Sequence, residues 1–122
     1  MTSLMDELIR GGGGAGKDPR FPHAPEGWTS ALAAESARGE GLQLGEEHWE
    51  ALRALQEYYA RHEATAVHLR ELHDALEEKF HRQGGIRRLY LLFPGGPVAQ
   101  GCRIAGLKAP AGATDKGFGS VA

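Results

Sequence analysis

The longest segment without glycine or proline constrains the fold of this 122-residue chain most strongly. It runs from Glu46 to Gln83, 38 residues, while all 18 glycines and six prolines lie outside it. Because glycine and proline are the strongest helix breakers, this segment predicts a helical centre. The glycines cluster in 11–16, 39–45, 84–85 and 95–119. Their placement predicts a flexible head, two turns between helices and a loop-rich tail.

Apolar residues at spacings of three and four divide this centre into two amphipathic helices. The first spans Glu46–His62, and the second follows Thr65, which we predict to be its N-cap. The predicted buried stripes are Trp49, Leu52, Leu55 and Tyr59 in the first helix, and Leu69, Leu72, Leu76 and Phe80 in the second.

Three shorter helices complete the prediction. The Ala-rich segment Ser30–Arg38 precedes the centre, and Ile86–Leu92 follows it. Pro97 opens the last helix, which runs to Ala105, because proline is tolerated in a first turn. We therefore predict a mainly α fold, a small orthogonal bundle of five helices. A flexible Gly-rich head over residues 1–20 precedes a domain over 21–105, and a mobile C-terminal arm covers 106–122.

Composition excludes several classes of protein. A net charge of −2 argues against a dedicated nucleic-acid binder, which usually carries a clear basic excess. No apolar run approaches the roughly 18 residues of a membrane span. No signal-peptide pattern opens the chain. We therefore expect a soluble, cytoplasmic protein with no membrane partner.

The small net charge hides a polarised chain. Residues 1–85 carry nine bases and fifteen acids, a balance of −6, whereas residues 86–122 carry five bases and one acid, a balance of +4. The five bases are Arg87, Arg88, Arg103, Lys108 and Lys116. Two interpretations stay open: this third of the chain binds an acidic partner or anionic substrate, or it lies across the acidic helices of its own domain.

Two patterns that suggest a bound ligand fail on physical grounds. Gly11–Lys17 matches most of a phosphate-binding loop, but Asp18 replaces the required hydroxyl and Pro19 opposes a following helix. Among the six histidines, His68 and His73 are five apart and do not share a helix face. We therefore expect no metal and no cofactor. No set of nucleophile, base and orienting residue is recognisable, so an enzyme with its own turnover is not expected.

The two central helices also have the order of a helix-turn-helix. The second helix would present His68, Arg70 and Glu71 to the bases of a major groove. One base among mixed charges is weak DNA readout, so ordinary helix packing is favoured.

Cys102 is the only cysteine, which excludes an intrachain disulfide and a cysteine-rich zinc site. A lone helical cysteine is more often a small buried hydrophobe than a nucleophile. Against this, the adjacent Arg103 and the nearby Lys108 favour a thiolate. We also expect the thiol to be accessible, because the residues after Gly106 are predicted to be mobile.

Two long motifs carry a family resemblance. One runs from Glu46 to Tyr59, and the other, Leu89–Leu107, contains Leu-Phe-Pro-Gly-Gly-Pro and Gln-Gly-Cys-Arg-Ile-Ala-Gly-Leu. Together with Pro25–Trp28 they resemble the DsrC/TusE family of small sulfur-relay proteins, which includes the so-called gamma subunit of dissimilatory sulfite reductase. The likeness covers residues 21–113.

The resemblance implies a helical domain with a short N-terminal β-hairpin and a mobile C-terminal arm. Pro19 and Pro22 interrupt the segment expected to form the hairpin. In two-cysteine members, one cysteine matches Cys102, and a second cysteine near the chain end carries sulfur as a persulfide into a partner's active site. The second position corresponds to Ala113 here. Since alanine cannot accept sulfur, delivery by the tail is absent.

The resemblance leaves two functions open. In the first, Cys102 alone accepts or passes persulfide sulfur, with sulfite reductase subunits or a sulfurtransferase as partner. In the second, the chain is non-catalytic and regulates by binding sulfur-metabolism partners or DNA. The sequence leaves the pathway open among sulfite reduction, sulfur oxidation and tRNA thiolation.

Overall fold

Five α-helices lie in the described part of this chain. The computed structural model describes residues 18–63 and 66–113. The helices are α1 (Ser30–Gly39), α2 (Glu46–Arg61), α3 (Leu69–Lys79), α4 (Gly85–Leu92) and α5 (Ala99–Ala105), with the 3₁₀ turn His81–Gln83 between α3 and α4. These ranges contain no β-strand, so the predicted mainly α fold is confirmed. None of the described helices is long and apolar enough to cross a lipid bilayer.

The apolar faces of the helices meet in one core. α2 packs against both α5 and α4, α1 packs against α5, and α3 packs against α4. The predicted stripes are buried at Leu52, Leu55, Leu72, Leu76 and Phe80, whereas Trp49, Tyr59 and Leu69 are half-buried. The spacing rule therefore identified the faces that α2 and α3 bury.

The segment before α1 forms turns. Backbone hydrogen bonds join Phe21 N–H to the Asp18 carbonyl at 2.8 Å and Trp28 N–H to the Pro25 carbonyl at 3.1 Å. Phe21 is fully buried, and its ring meets Trp28 edge to face at 5.0 Å between centroids. The hairpin implied by the resemblance is thus absent from residues 18–29, where Pro19 and Pro22 lack the N–H groups that a strand ladder needs. Most of the predicted head, including Gly11–Lys17, lies outside the described residues.

Local caps determine where α1 and α2 begin. Thr29 Oγ1 accepts a hydrogen bond from Leu32 N–H at 3.1 Å, the usual N-cap geometry. At α2, His48 Nδ1 accepts from Gly45 N–H at 2.9 Å, and His48 Nε2–H donates to the Leu92 carbonyl at 2.9 Å. One imidazole therefore caps α2 and ties it to the end of α4.

The second central helix begins later than predicted. α3 starts at Leu69 with His68 in the N-cap position, and the His68 side chain makes no capping bond. Thr65, the predicted N-cap, lies outside the described residues. α3 ends at Lys79 with Phe80 in the C-cap position.

A carboxylate connects α3 to α4. Glu77 Oε1 accepts from Ile86 N–H at 2.8 Å. A Cβ on Gly85 would lie 2.4 Å from that same oxygen, and Gly85 has φ +66°. Only glycine fits this turn without displacing the carboxylate. Because Glu77 accepts this bond, the pKa of its carboxyl is lowered.

Pro97 lies just before α5, which begins at Ala99 rather than at the predicted Pro97. Its carbonyl accepts from Gly101 N–H at 3.1 Å. The proline therefore supplies an acceptor to the first turn without having to donate an N–H.

Candidate functional site

The only thiol of the chain lies on α5, at the base of the C-terminal arm. Cys102 is fully buried and belongs to the hydrophobic core. Its neighbour Gly101 allows α5 to approach α2 closely, since a Cβ there would lie 2.8 Å from Leu55 Cδ1. The glycine in the Gln-Gly-Cys segment thus serves packing and brings the cysteine against α2.

Side chains distant in sequence cap the C-terminal end of α5. Trp28 Nε1–H donates to the Ile104 carbonyl at 2.9 Å, and Gln56 Nε2–H donates to the Ala105 carbonyl at 3.0 Å. Gly106 follows with φ +80°, and a Cβ there would meet the Trp28 ring at 2.8 Å. These contacts satisfy carbonyls that a helix end leaves unpaired. They also fix the direction in which the arm leaves α5.

One tyrosine joins the thiol to the arm. Tyr59 Oη donates to the Lys108 carbonyl at 2.6 Å. The Cys102 thiol donates to the same oxygen, with 3.8 Å between Sγ and Oη. The hydroxyl of Tyr59 therefore contacts the arm backbone and the sulfur at once.

The surroundings of Cys102 oppose ionisation. Burial raises the pKa of the Cys102 thiol from 9.0 to about 11. Burial also raises the pKa of Tyr59. At pH 7, a pKa near 11 leaves about one thiol in ten thousand ionised. The predicted accessible thiolate is therefore wrong for the arm position seen here, because the thiol is shielded and protonated.

Arg103, which we expected to activate the thiol, pairs with Glu40 instead. Its Nε–H donates to Glu40 Oε2 at 2.7 Å and its Nη2–H donates to Glu40 Oε1 at 2.8 Å. Gln100 Nε2–H also donates to Glu40 Oε1, at 2.9 Å, and Gln100 Oε1 accepts from Gly95 N–H at 2.9 Å. The bonds from Arg103, above all, lower the pKa of Glu40. This Glu40 cluster fastens α5 to the loop after α1 and to the turn before α5.

The described part of the arm, residues 106–113, lies against the helical domain. Pro110 is buried, and Ala113 is half-buried against the core. A cavity of about 60 Å³ adjoins Ala113. Its lining residues are Leu69, His73, Tyr90, Gly96, Val98, Ala99, Gly112 and Ala113. A small apolar side chain thus occupies the position at which the resemblance places the second cysteine.

Comparison with known sequences matches this chain to a family. The family described as DsrC like protein matches residues 17–113. The chain belongs to the DsrC-like family. Sulfurtransferase TusE of Salmonella typhimurium (strain LT2) is 43% identical over 84 residues, which cover 68% of this chain and 76% of TusE. Sulfurtransferase TusE of Escherichia coli (strain K12) is 40% identical over 84 residues, with the same coverage. The comparison with solved structures gave no match.

The resemblance predicted from the motifs is therefore confirmed. The motif residues also have physical roles in this DsrC-like chain. Trp28 and Gln56 cap the cysteine helix, and Tyr59 contacts the thiol. Apolar spacing placed Tyr59 in a predicted buried stripe and assigned no contact to Gln56. The signal available in the sequence was their spacing of three, which places both side chains on one face of α2.

Two of the predicted basic residues pair with acids of the same domain. Arg87 and Lys108 are exposed. The Arg88 guanidinium pairs with the Glu47 carboxylate and lowers its pKa. Arg103 pairs with Glu40, and Lys116 lies outside the described residues. For Arg88 and Arg103, the interpretation that basic groups meet acids of the same domain holds.

The other candidate sites do not include the thiol. His68, Arg70 and Glu71 are exposed at the start of α3. Over residues 18–63 and 66–113, no three His, Cys, Asp or Glu side chains gather as metal ligands would. A larger groove of about 420 Å³ lies between the segment 21–23, α2 and the end of α3.

Proposed function

We propose that this DsrC-like chain is a sulfur-relay protein in which Cys102 accepts and passes persulfide sulfur. The observation that carries the proposal is the position of its only thiol. Cys102 lies at the base of the arm and is linked to the arm backbone through Tyr59 Oη, 3.8 Å from the sulfur and 2.6 Å from the Lys108 carbonyl. Displacement of the arm would break the bond between Tyr59 and the arm backbone, beside the one group in the chain that can accept sulfur.

The transfer requires no oxidant. The Cys102 thiolate attacks the outer sulfur of a persulfide on a donor sulfurtransferase, and a new S–S bond forms at Sγ. The donor's own S–S bond breaks, and the electron pair leaves on the donor cysteine as a thiolate. The product is a Cys102 persulfide, which a partner thiolate can attack in the same way.

The partner has to provide access. With the arm docked, Cys102 is fully buried and its pKa is near 11, so a donor cannot reach the sulfur. A sulfurtransferase, or a sulfite reductase subunit receiving sulfur, would therefore bind where it lifts residues 107–113 from the domain. Arg87 and Lys108 are exposed basic residues of this part of the chain, and they would favour an acidic partner surface.

Mass spectrometry of the intact protein tests the proposal. The full chain is incubated with a sulfurtransferase and thiosulfate, beside a Cys102→Ala control. We expect an adduct of about 32 Da, the mass of one sulfur atom, that disappears on reduction. Its absence from the wild type, or its presence in Cys102→Ala, would refute Cys102 as the carrier.

A second candidate function is regulation by binding without sulfur transfer. The burial of Cys102 and the alanine at position 113 favour it. Cys102→Ala would then retain the wild-type affinity for sulfite reductase or relay subunits in pull-down assays. Loss of binding in Cys102→Ala contradicts this candidate. DNA is the less favoured target, and a gel shift that persists at about 200 mM salt is the required evidence, because non-specific phosphate binding weakens steeply with salt.

A further inference from the structure

We propose that Tyr59 is a positioning residue that couples docking of the arm to the protonation of Cys102. While the arm is docked, the Tyr59 hydroxyl donates its hydrogen bond to the Lys108 carbonyl. When the arm is displaced, the hydroxyl donates to the Cys102 sulfur instead. The inference rests on the proposed relay function and adds a residue that regulates protonation of the thiol at that site.

The hydrogen-bond directions follow from the number of protons. A tyrosine hydroxyl has one proton to donate, and its oxygen also accepts. At 2.6 Å from the Lys108 carbonyl, Oη has to donate, since the carbonyl cannot. The bond to Cys102 at 3.8 Å then leaves Oη as the acceptor and the thiol as the donor. The docked arm therefore retains the proton on sulfur.

Displacement of the arm reverses the direction of the hydrogen bond between Cys102 Sγ and Tyr59 Oη. Without the Lys108 carbonyl, Cys102 Sγ is the remaining acceptor that contacts Tyr59 Oη among the described residues. The thiol proton passes to solvent, which the lifted arm admits, and Tyr59 donates to the resulting thiolate. A hydrogen bond to the charged form favours ionisation. The same donor would serve the terminal sulfur anion of a Cys102 persulfide.

The titratable and charged groups around Tyr59 have other contacts or are exposed, so Tyr59 is the donor to the Cys102 thiolate in this proposal. From α2, Tyr58 is the other titratable group that acts on Tyr59, and its ring stacks on His62 at 4.1 Å. On α5, the Arg103 guanidinium pairs with Glu40 of the loop after α1. On the arm, the Lys108 side chain is exposed.

Two measurements on the full chain test the coupling, with Tyr59→Phe as the variant and Tyr58→Phe as the matched control. Hydrogen exchange reports arm opening through the amide of Leu107, which donates to the Cys102 carbonyl at 2.8 Å. Iodoacetamide labelling of Cys102 from about pH 6 to pH 11 gives the apparent pKa of the reacting thiol.

Tyr59→Phe removes both hydrogen bonds and retains the ring. We expect exchange at Leu107 to accelerate about two- to tenfold, as loss of one hydrogen bond predicts. We also expect the midpoint of the labelling curve to rise by about half a pH unit or more, because the donor to the thiolate is gone. Tyr58→Phe should match the wild type in both measurements.

Other outcomes overturn the proposal. Faster exchange with an unchanged midpoint makes Tyr59 a structural contact only, and unchanged exchange means that it does not hold the arm. If Tyr59→Phe fails to fold, a fluorinated tyrosine at position 59 retains both bonds with a stronger donor. That substitution should lower the midpoint, and an unchanged or higher midpoint refutes the coupling. Neither measurement uses a sulfur donor, so a negative persulfide assay with positive labelling results refutes the relay and leaves the coupling intact.

Discussion

The Glu40 cluster provides a test of how α5 is held. Glu40 Oε1 accepts from Gln100 and Arg103, and Oε2 accepts from Arg103 Nε. In Glu40→Gln, one carboxylate oxygen becomes an NH₂ group, which faces an N–H donor of Arg103 and cannot bond to it. Because the Glu40 side chain is only 10% exposed, water cannot replace that bond fully. The substitution therefore loses charge-assisted bonds and leaves a guanidinium less well paired.

The magnitude follows from the geometry. A hydrogen bond to a charged group contributes about 1.5–3 kcal/mol. Arg103 is 38% exposed, so solvent screening reduces the loss to about 1–2 kcal/mol. For a domain of this size, each kcal/mol lowers Tm by about 4–8 °C. Glu35→Gln is the matched control, since its carboxylate pairs with Arg38 where both side chains are more than two-thirds exposed. We expect it to cost less than about 0.5 kcal/mol.

Urea unfolding at two pH values is the assay. The pKa of Glu40 is lowered in the folded protein, so its contribution is present above the unfolded carboxyl pKa and is lost as pH falls through the folded pKa. The difference between wild type and Glu40→Gln should therefore be full at pH 7 and shrink in acid, below the ordinary glutamate pKa of about 4.3. A Glu40→Gln cost no larger than that of Glu35→Gln, or one that is unchanged in acid, refutes the reasoning.

Three further predictions concern α5 and the arm. Gly101→Ala should destabilise the fold by about 1–3 kcal/mol, because the new Cβ would lie 2.8 Å from Leu55 Cδ1. The control Gly39→Ala has open space at its Cβ, so it should be neutral or stabilising in the same thermal melt. Iodoacetamide at pH 7 should label Cys102 at least about a hundredfold more slowly in the native protein than in urea, given its burial and raised pKa; comparable rates would contradict the buried site. Ala113→Cys, made in a Cys102→Ala chain, should label faster than Cys102 does in the wild type, since position 113 is only half-buried beside a cavity; a slower rate would mean that the arm shields it more tightly.

The sequence predicted the elements of this fold better than their junctions. Glycines and prolines mark where helices end, and apolar spacing finds the faces of α2 and α3, because both signals are local. The start of α3 at Leu69 was missed, since the polar residues before it fit several N-caps. No local pattern in the sequence determines how long the loop between α2 and α3 is.

The sequence likewise predicted the residues of the candidate site but not their contacts. Motifs identified the family and singled out Cys102 and Ala113. The state of the thiol could not be predicted, because adjacency in sequence does not give direction in space. Arg103 follows Cys102 directly, yet its guanidinium pairs with Glu40, 63 residues away in the chain. Burial of the sulfur depends on partners of this kind, which only the packed structure identifies.

The caps of α5 also determine when the cysteine becomes protected as the chain folds. Trp28 reaches the Ile104 carbonyl across 76 residues, and Tyr59 reaches the Lys108 carbonyl across 49. Contacts so distant in sequence form late, because loop closure has to precede them. In the unfolded chain the thiol is exposed, and it stays exposed until these long-range contacts have formed. The fold therefore protects this cysteine only as one of its last steps.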